Sequence, residues 1–224
     1  MRPTTHPRVK ICCIASVEEA WMAVESGASA VGLVSEMPSG PGVISEELIQ
    51  EIAATVPPAV SSFLLTCCPD VAGIVRQQIR LRVNTIQICD RLEKGDHREL
   101  RDALPGVSIV QVVHVNGLES VEEALAAAPF VDGLLLDSGS KTETLKELGG
   151  TGRVHDWSIS KLIRQEVKVP VFLAGGLSSS NVTEALEQVR PFGVDVCTGV
   201  RTDGRLDPTK LAAFFRGVNE AKLS

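Results

Sequence analysis

Positive charge is in short supply in this sequence of 224 residues, which holds 22 lysines and arginines against 28 aspartates and glutamates. The formal net charge of -6 argues against a general nucleic-acid binder, because phosphate backbones are held mainly by clustered lysine and arginine. A local pocket for a single phosphate is compatible with this charge. We therefore expect a small-molecule partner and no nucleic acid.

Long hydrophobic runs are also missing from the sequence. No stretch approaches the roughly 20 apolar residues of a membrane span. The first ten residues carry charge, but no apolar run follows that would suit a signal peptide. These absences predict a cytoplasmic protein without a membrane partner.

Metal and redox signatures are absent as well. The four histidines are scattered, and no two cysteines have the C-x-x-C spacing of zinc or dithiol sites. We expect no metal site and six reduced thiols. The cysteines are Cys12, Cys13, Cys67, Cys68, Cys89 and Cys197.

Eight short apolar runs rich in β-branched residues alternate with helical patterns along the chain. Near-continuous hydrophobic runs are typical of strands covered on both faces, and this alternation predicts parallel pairing through crossover helices. The predicted strands are 9–14, 30–35, 59–65, 83–88, 107–113, 131–137, 169–174 and 193–197. The predicted helices are 17–26, 45–55, 70–80, 96–104, 119–128, 157–166, 179–189 and 207–220.

Two architectures share this alternation: a single (β/α)8 barrel and a doubly wound open sheet. The open sheet would normally place a glycine-rich phosphate loop after its first strand, where this chain has Cys12, Cys13 and Ile14. Its glycine clusters instead follow the seventh and eighth strands, where barrels often bind phosphate. The sequence predicts a single (β/α)8 TIM barrel domain spanning residues 1–224, a length that one such barrel commonly needs.

Two reactive side chains end predicted strands, at the face where barrels carry their chemistry. Cys12 ends the first strand, and Asp137 ends the sixth. Taken singly, each has an ordinary alternative, a buried structural thiol for Cys12 and a helix cap or loop carboxylate for Asp137. Strand alternation places Lys10 on the same face as Cys12, where its charge would favour the thiolate. Asp195 on the eighth strand is adjacent, either as a partner of Lys10 or as a substrate contact.

Glycine-rich segments predict a second function for the same face. Gly175 and Gly176 follow the seventh strand, and Thr198 and Gly199 follow the eighth. Exposed backbone N–H groups near helix starts bind phosphate well, so we expect a phosphate site there. The long segment after the sixth strand contains Gly149, Gly150, Thr151 and Gly152. It suits either a lid over a ligand or an ordinary surface loop.

Several segments resemble the phosphoribosylanthranilate isomerase family of tryptophan biosynthesis. The matches occur in order along almost the whole chain: Val-Lys-Ile-Cys at 9–12, Leu-Asp-Ser at 136–138, Gly-Gly-Thr-Gly at 149–152 with Asp156-Trp157, Leu-Ala-Gly-Gly-Leu at 173–177 with Asn181-Val182, and Gly-Val-Asp-Val at 193–196 with Gly199-Val200.

The resemblance implies an Amadori rearrangement of N-(5-phosphoribosyl)anthranilate, with no metal and no organic cofactor. It assigns Asp137 as the general acid that protonates the furanose ring oxygen. It assigns Cys12 as the general base that removes the proton from sugar C2. Further substrate-contact candidates are Lys10, Gln87, Arg153 and Asp195.

Three departures from the family pattern stand out. Cys13 replaces a glycine, and 87–90 read Gln-Ile-Cys-Asp in place of Gln-Leu-His-Gly. In the family, an arginine after the second strand holds the anthranilate carboxylate, and this chain has Gly42 there. Arg153 or Arg201 is the expected substitute. The alternatives are an isomerase-like paralogue for a different phosphorylated ligand and a non-enzymatic sensor of a sugar phosphate.

All six cysteines fall at or just beyond the carboxyl ends of the first, third, fourth and eighth predicted strands. Inert structural thiols are one explanation. The functional hypothesis makes Cys12 the most acidic thiol, with Cys13 pointing away from it and Cys197 close enough to act as a resolving thiol. The sequence leaves the oligomeric state open between monomer and homodimer.

Overall fold

The computed structural model describes residues 6–138, 141–142, 145–146 and 155–223. Eight parallel strands close into a barrel in the order β1-β8-β7-β6-β5-β4-β3-β2, which confirms the predicted barrel and excludes the open sheet. The barrel strands, labelled in chain order, are β1 (Arg8–Ile11), β2 (Ala30–Val34), β3 (Ser61–Thr66), β4 (Thr85–Ile88), β5 (Ser108–His114), β6 (Gly133–Asp137), β7 (Val171–Leu173) and β8 (Gly193–Val196).

A helix follows each barrel strand, within three residues of its predicted bounds. The helices are α1 (Val17–Glu25), α2 (Glu46–Thr55), α3 (Val71–Leu81), α4 (His97–Ala103), α5 (Glu119–Ala127), α6 (Trp157–Glu166), α7 (Val182–Val189) and α8 (Pro208–Glu220). Ser16 and Ser45 cap α1 and α2 by accepting from the backbone N–H groups of Glu19 and Leu48. Gly27, two residues after the end of α1, has a φ of 101°, which is typical of the residue that follows a helix.

Three short elements were not predicted. A 3₁₀ turn, Ala128–Phe130, follows α5. Two-residue strands pair as antiparallel hairpins, Lys141–Thr142 with Leu145–Lys146 and Arg201–Thr202 with Arg205–Leu206. None of the described helices has the length and hydrophobicity needed to cross a membrane.

Two hydrophobic clusters pack against the barrel wall, one outside it and one inside. The larger one packs the outward side chains of the strands against the helices, and the smaller one fills the barrel interior. Within the interior, Phe172 makes edge contacts with Phe63 and Phe192, at ring-centroid distances of 6.0 and 5.4 Å. The Lys10 ammonium lies 5.3 Å from the Phe63 ring centroid. These side chains fill part of the barrel interior.

Candidate active site

A cavity opens at the carboxyl ends of the barrel strands, with a volume of about 660 Å³ including the space open to solvent. Both predicted catalytic side chains, Cys12 and Asp137, line it. They enter from β1 and β6, which β7 and β8 separate within the barrel. A small ligand in this cavity would therefore meet a thiol from one strand and a carboxyl from another.

The thiol of Cys12 lies beside a buried ion pair. Lys10 Nζ donates to Asp195 Oδ2 at 2.8 Å and to Cys12 Sγ at 3.4 Å. The parallel register places Lys10 opposite Asp195, and alternation along β1 aims Lys10 and Cys12 into the same interior. Lys10 therefore lies directly below Cys12, as the sequence predicted.

Lys10 stays charged at this position although it has no solvent exposure. Burial alone would lower the pKa of its ammonium, but the Asp195 charge, the Cys12 sulfur and the hydrogen bonds to both outweigh burial and raise that pKa. Oδ1 of Asp195 has no hydrogen-bond partner among the described residues, and Asp195 lines the cavity. Its second oxygen can accept from a ligand hydroxyl while the first holds Lys10.

Several groups act on the Cys12 thiol with opposite signs. A hydrogen bond from Cys13 has the largest effect and lowers the pKa of Cys12. Burial and the Asp195 charge oppose this, while the charge and hydrogen bond of Lys10 reinforce it. The net shift of the Cys12 pKa is downward, so this thiol ionises more readily than an ordinary cysteine.

The prediction that Cys13 points away from Cys12 is wrong. Its side chain lines the same cavity as those of Cys12 and Cys197. Strand alternation fails here because β1 ends at Ile11 and Cys13 adopts a left-handed backbone, with a φ of 61°. All six thiols nevertheless lie just beyond the carboxyl ends of barrel strands.

Asp137 is the last residue of β6 and is almost fully buried. Its Oδ1 accepts from the backbone N–H of Ser138 at 2.7 Å, which fixes the carboxyl orientation. His155 lies close enough to feel the Asp137 charge, and its Nε2 is 2.6 Å from Ser160 Oγ. Burial lowers the pKa of His155, against the opposing charges of Asp137 and Asp156, so the ring is neutral near pH 7. Sequence reasoning missed His155, although it adjoins the matched Asp156-Trp157 pair.

The glycine-rich loops after β7 and β8 meet beside the cavity. Gly175 and Gly176 line it with φ values of 84° and 63°, and Thr198 lines it from the β8 loop. Gly199 lies behind this wall: a Cβ there would overlap the Leu177 carbonyl oxygen, and Gly199 forms a β-bridge with Ser178. A glycine is therefore required for the two loops to touch.

Asn181 holds the first of these loops together. Its Oδ1 accepts from the Ser178 N–H at 2.8 Å, and its Nδ2 donates to the Gly176 carbonyl at 3.0 Å. These bonds occupy the segment predicted as the start of α7, which explains why the helix begins only at Val182.

Arg201 is not available as a substitute anchor for a substrate carboxylate, so this expectation is wrong. Arg201 is 9% exposed, and its guanidinium pairs with Glu19 at 3.0 Å and donates to the carbonyls of Cys12 and Cys13 at 3.2 and 2.5 Å. Burial opposes the charge on Arg201, but the hydrogen bond and charge of Glu19 prevail and raise its pKa. The guanidinium thus stabilises the backbone just after β1 through these hydrogen bonds.

The remaining candidates fall into two groups. Gln87 lines the cavity, and its buried Oε1 has no partner in the described part of the chain. Arg153 and the predicted lid residues Gly149, Gly150, Thr151 and Gly152 lie outside the described residues. Neither Lys nor Arg is among the described residues that line the cavity, and within the same ranges no cluster of His, Cys, Asp and Glu could hold a metal ion.

Comparisons with known proteins agree with this geometry. The sequence model of the family N-(5'-phosphoribosyl)anthranilate (PRA) isomerase matches residues 9–217. A protein of that name from Methanocella arvoryzae is 34% identical over 209 residues, which cover 93% of this chain and 95% of that protein.

Solved structures give the same result. The phosphoribosyl anthranilate isomerase from Thermotoga maritima superposes with a TM-score of 0.78 at 30% identity, over 95% of this chain and 98% of the other. Another structure of the isomerase, in complex with reduced 1-(o-carboxyphenylamino)-1-deoxyribulose 5-phosphate, gives 0.76 at 29% identity with the same coverage. The chain belongs to the phosphoribosylanthranilate isomerase family.

Proposed function

We propose that this chain catalyses the Amadori rearrangement of N-(5-phosphoribosyl)anthranilate, with Asp137 as the general acid and Cys12 as the general base. The observation that carries these roles is that one cavity is lined by an oriented carboxyl and by a thiol that accepts a hydrogen bond from Lys10. Family membership supports the reaction itself and favours it over the paralogue and sensor alternatives.

The reaction divides into two proton transfers. Asp137 gives a proton to the furanose ring oxygen as the bond from that oxygen to C1 breaks, and the aniline nitrogen lone pair forms the C=N bond. The Cys12 thiolate then removes the proton from C2. The electron pair of the broken C2–H bond forms the C1–C2 double bond, and the C=N pair returns to nitrogen. The resulting enolamine tautomerises to the amino ketone. The first step needs a group that donates a proton and the second needs a group that accepts one, so the acid and the base must both reach the bound sugar.

The substrate phosphate is assigned to the loops after β7 and β8. The positive φ values of Gly175 and Gly176 turn backbone N–H groups in an arrangement typical of anion-binding nests. Thr198 adds a hydroxyl from the neighbouring loop. No lysine is needed, because backbone amides supply the donors.

The aglycone is assigned to the side of the cavity lined by Val34, Met37, Pro41 and Leu65. This wall is apolar and suits an aromatic ring. The loop at 40–42 contributes no cation to it, and Arg201 is held by Glu19. Arg153 stays the candidate partner for the anthranilate carboxylate.

The test is an isomerase assay with N-(5-phosphoribosyl)anthranilate on the purified chain, together with complementation of a tryptophan auxotroph that lacks this step. Cys12→Ala and Asp137→Asn should each lower kcat by orders of magnitude, because each removes one proton transfer from a preformed site. Circular dichroism and thermal melting serve as fold controls. Near wild-type turnover in either variant would contradict the assigned role, and absence of activity in the folded parent protein would contradict the function.

A further inference from the structure

Gly32 lies at the middle of β2, where the other four residues are aliphatic. Alternation along β2 aims Ala30, Gly32 and Val34 into the barrel interior, whereas Val31 and Leu33 pack against the helices. The φ of Gly32 is not positive, so its backbone conformation does not by itself require a glycine. A glycine inside a strand weakens it and often marks the close approach of another group.

Two functional atoms occupy the space beside Gly32. A Cβ built at this position would lie 2.9 Å from Cys12 Sγ and 3.1 Å from Lys10 Nζ. It would also lie 3.2 Å from Cys12 Cα. All three distances are shorter than the roughly 3.5–4.0 Å at which non-bonded heavy atoms pack. A side chain at position 32 would therefore overlap the thiol and crowd the ammonium.

The Lys10 ammonium is enclosed by groups from three other positions of the barrel interior. Phe63 on β3 stands opposite Gly32 in the parallel register, and its ring centroid is 5.3 Å from Lys10 Nζ. Asp195 Oδ2 accepts from Nζ at 2.8 Å, and Cys12 Sγ accepts from it at 3.4 Å. Gly32 leaves the room for this arrangement by contributing no side chain.

The Cys12 sulfur is the atom that would move if position 32 carried a side chain. Asp195 holds Lys10 Nζ in a buried ion pair, whereas the Cys12 thiol can turn about a single side-chain torsion. Turning Sγ away from the new Cβ would lengthen its contact with Nζ. Because a nearby cation favours the ionised form of a thiol, losing this contact would raise the pKa of Cys12.

Titratable groups surround Cys12 from several strands, but β2 contributes none. Arg201 is a second cation nearby, and it donates to the Cys12 carbonyl rather than to the sulfur. Lys10 is therefore the cation that the described contacts join to the thiol itself. The other titratable groups around Cys12 are Cys13 after β1, Cys89 after β4, Asp137 on β6, Asp195 on β8 and Cys197 after β8.

We propose that Gly32 is a positioning residue for the isomerase reaction: by contributing no side chain at this point of β2, it allows the Lys10 ammonium to reach the Cys12 sulfur. The contact between ammonium and sulfur does not depend on the proposed function. Its consequence for catalysis rests on that function, in which Cys12 is the base that removes the C2 proton.

The experiment compares Gly32→Ala with the parent protein and with Gly133→Ala as the matched control. Gly133 is a buried glycine of β6, and a Cβ there would have the Pro170 carbonyl oxygen, at 3.3 Å, as its nearest neighbour. Neither Cys12 nor Lys10 is among its three nearest contacts. Two quantities are measured against pH: the rate of Cys12 alkylation by iodoacetamide, located by mass spectrometry, and kcat/KM for N-(5-phosphoribosyl)anthranilate.

In Gly32→Ala we expect the midpoint of Cys12 alkylation to move up by about one pH unit, because a hydrogen bond between charged partners has roughly that effect. The acid limb of kcat/KM should move with it and give about a tenfold loss on the acid side. KM should change little, since Gly32 does not line the cavity. Gly133→Ala should keep both midpoints at the parent values.

Lys10→Met provides an independent check that Gly32 acts through Lys10. Its alkylation midpoint should also rise, and adding Gly32→Ala to it should cause no further rise, because the contact is already lost. An additive rise in the double variant overturns the proposal, since alanine would then act on Cys12 by another route.

The remaining outcomes are separable. An unchanged alkylation midpoint in Gly32→Ala overturns the positioning role, and so does an equal shift in Gly133→Ala. A shifted alkylation midpoint without a shift in the kcat/KM limb supports the positioning of the ammonium and contradicts Cys12 as the base in the proposed function. If Gly32→Ala does not fold, Cys12→Ala with Gly32→Ala should fold, because the sulfur nearest to the new Cβ is gone. Failure of that double variant to fold, when Cys12→Ala alone folds, overturns the proposal.

Discussion

Lys10 contacts two groups with different requirements, a carboxylate that needs a counter-charge and a thiol that needs a hydrogen-bond donor. Lys10 has no solvent exposure and Asp195 is only 7% exposed, so water can replace a lost partner only in part. Breaking a buried ion pair by removing one member costs about 3–5 kcal/mol, because the remaining charge is left unpaired. Lys10 is therefore coupled to stability and to catalysis at the same time.

Lys10→Met should lower the free energy of unfolding by about 3 kcal/mol and lower kcat/KM, because Asp195 and Cys12 both lose their cation. The double variant Lys10→Met with Asp195→Asn should recover part of the stability and none of the activity. Urea unfolding and steady-state kinetics at neutral pH measure both quantities. Full recovery of turnover in the double variant would contradict a direct role of Lys10 at Cys12.

Neutral pH is the right condition for that measurement. The pKa of Lys10 is raised in the folded protein, so its stabilising contribution is complete below the pKa of a lysine in the unfolded chain. It is lost only as the pH rises through the higher folded value. The Lys10 member of the ion pair is therefore fully charged throughout the neutral range.

The residues that sequence reasoning placed well are those whose position follows from strand alternation. Lys10, Cys12 and Asp195 belong to this group, because alternation and parallel register determine where their side chains point. Cys13 and Arg201 do not. A left-handed residue breaks the alternation, and the Glu19 partner of Arg201 is 182 residues away in the sequence.

At the scale of elements, the eight strands and eight helices follow from hydrophobic period and length, whereas the short hairpin Arg201–Thr202 with Arg205–Leu206 does not. A strand of two residues is too short to show a hydrophobic period in the sequence. The signal that could have found this hairpin is Asp203-Gly204, a pair typical of two-residue turns, and both residues have positive φ. The late start of α7 needed knowledge of the Asn181 contacts.

The contact between the loops after β7 and β8 allows a test of the phosphate assignment. Gly199→Ala should raise KM several-fold with a smaller effect on kcat, because the new Cβ would push against the Leu177 carbonyl and separate the two loops. Inorganic phosphate should compete more weakly with substrate in this variant than in the parent, as measured by its inhibition constant. An unchanged KM and inhibition constant would move the phosphate site elsewhere.

Gly106→Ala is the control for this substitution. Gly106 has a φ of 85°, and a Cβ added there would meet nothing within 4 Å, so alanine brings about 1 kcal/mol of backbone strain without a clash. It lies between α4 and β5, at the opposite end of the strands from the cavity. Stability should fall slightly while KM stays at the parent value.

At the scale of the whole molecule, closure of the barrel connects the first and last strands. β1 pairs with β8 over four residues, from Arg8 opposite Gly193 to Ile11 opposite Val196. Either half of the chain alone would expose unpaired strand edges and the apolar barrel interior. We therefore propose that residues 1–224 behave as one domain.

The two tryptophans allow a direct test of this proposal. Trp21 lies in α1 and Trp157 begins α6, so each reports on a different half of the barrel, and the chain has no tyrosine to complicate their fluorescence. Trp21→Phe leaves Trp157 as the probe, and Trp157→Phe leaves Trp21. Within each variant, the urea midpoint from fluorescence should coincide with that from circular dichroism, because a single cooperative unit loses both signals together.

The comparison has to be made within each variant, because the two substitutions differ in cost. Trp21 is 41% exposed and Trp157 is 9% exposed, so Trp157→Phe should destabilise the protein more, by the packing that it loses. Barrels of this size are large enough to populate intermediates, so non-coincident transitions are a real alternative. A fluorescence midpoint below the dichroism midpoint in one variant and above it in the other would show that the halves unfold separately, because closure by β1 and β8 would then not couple them.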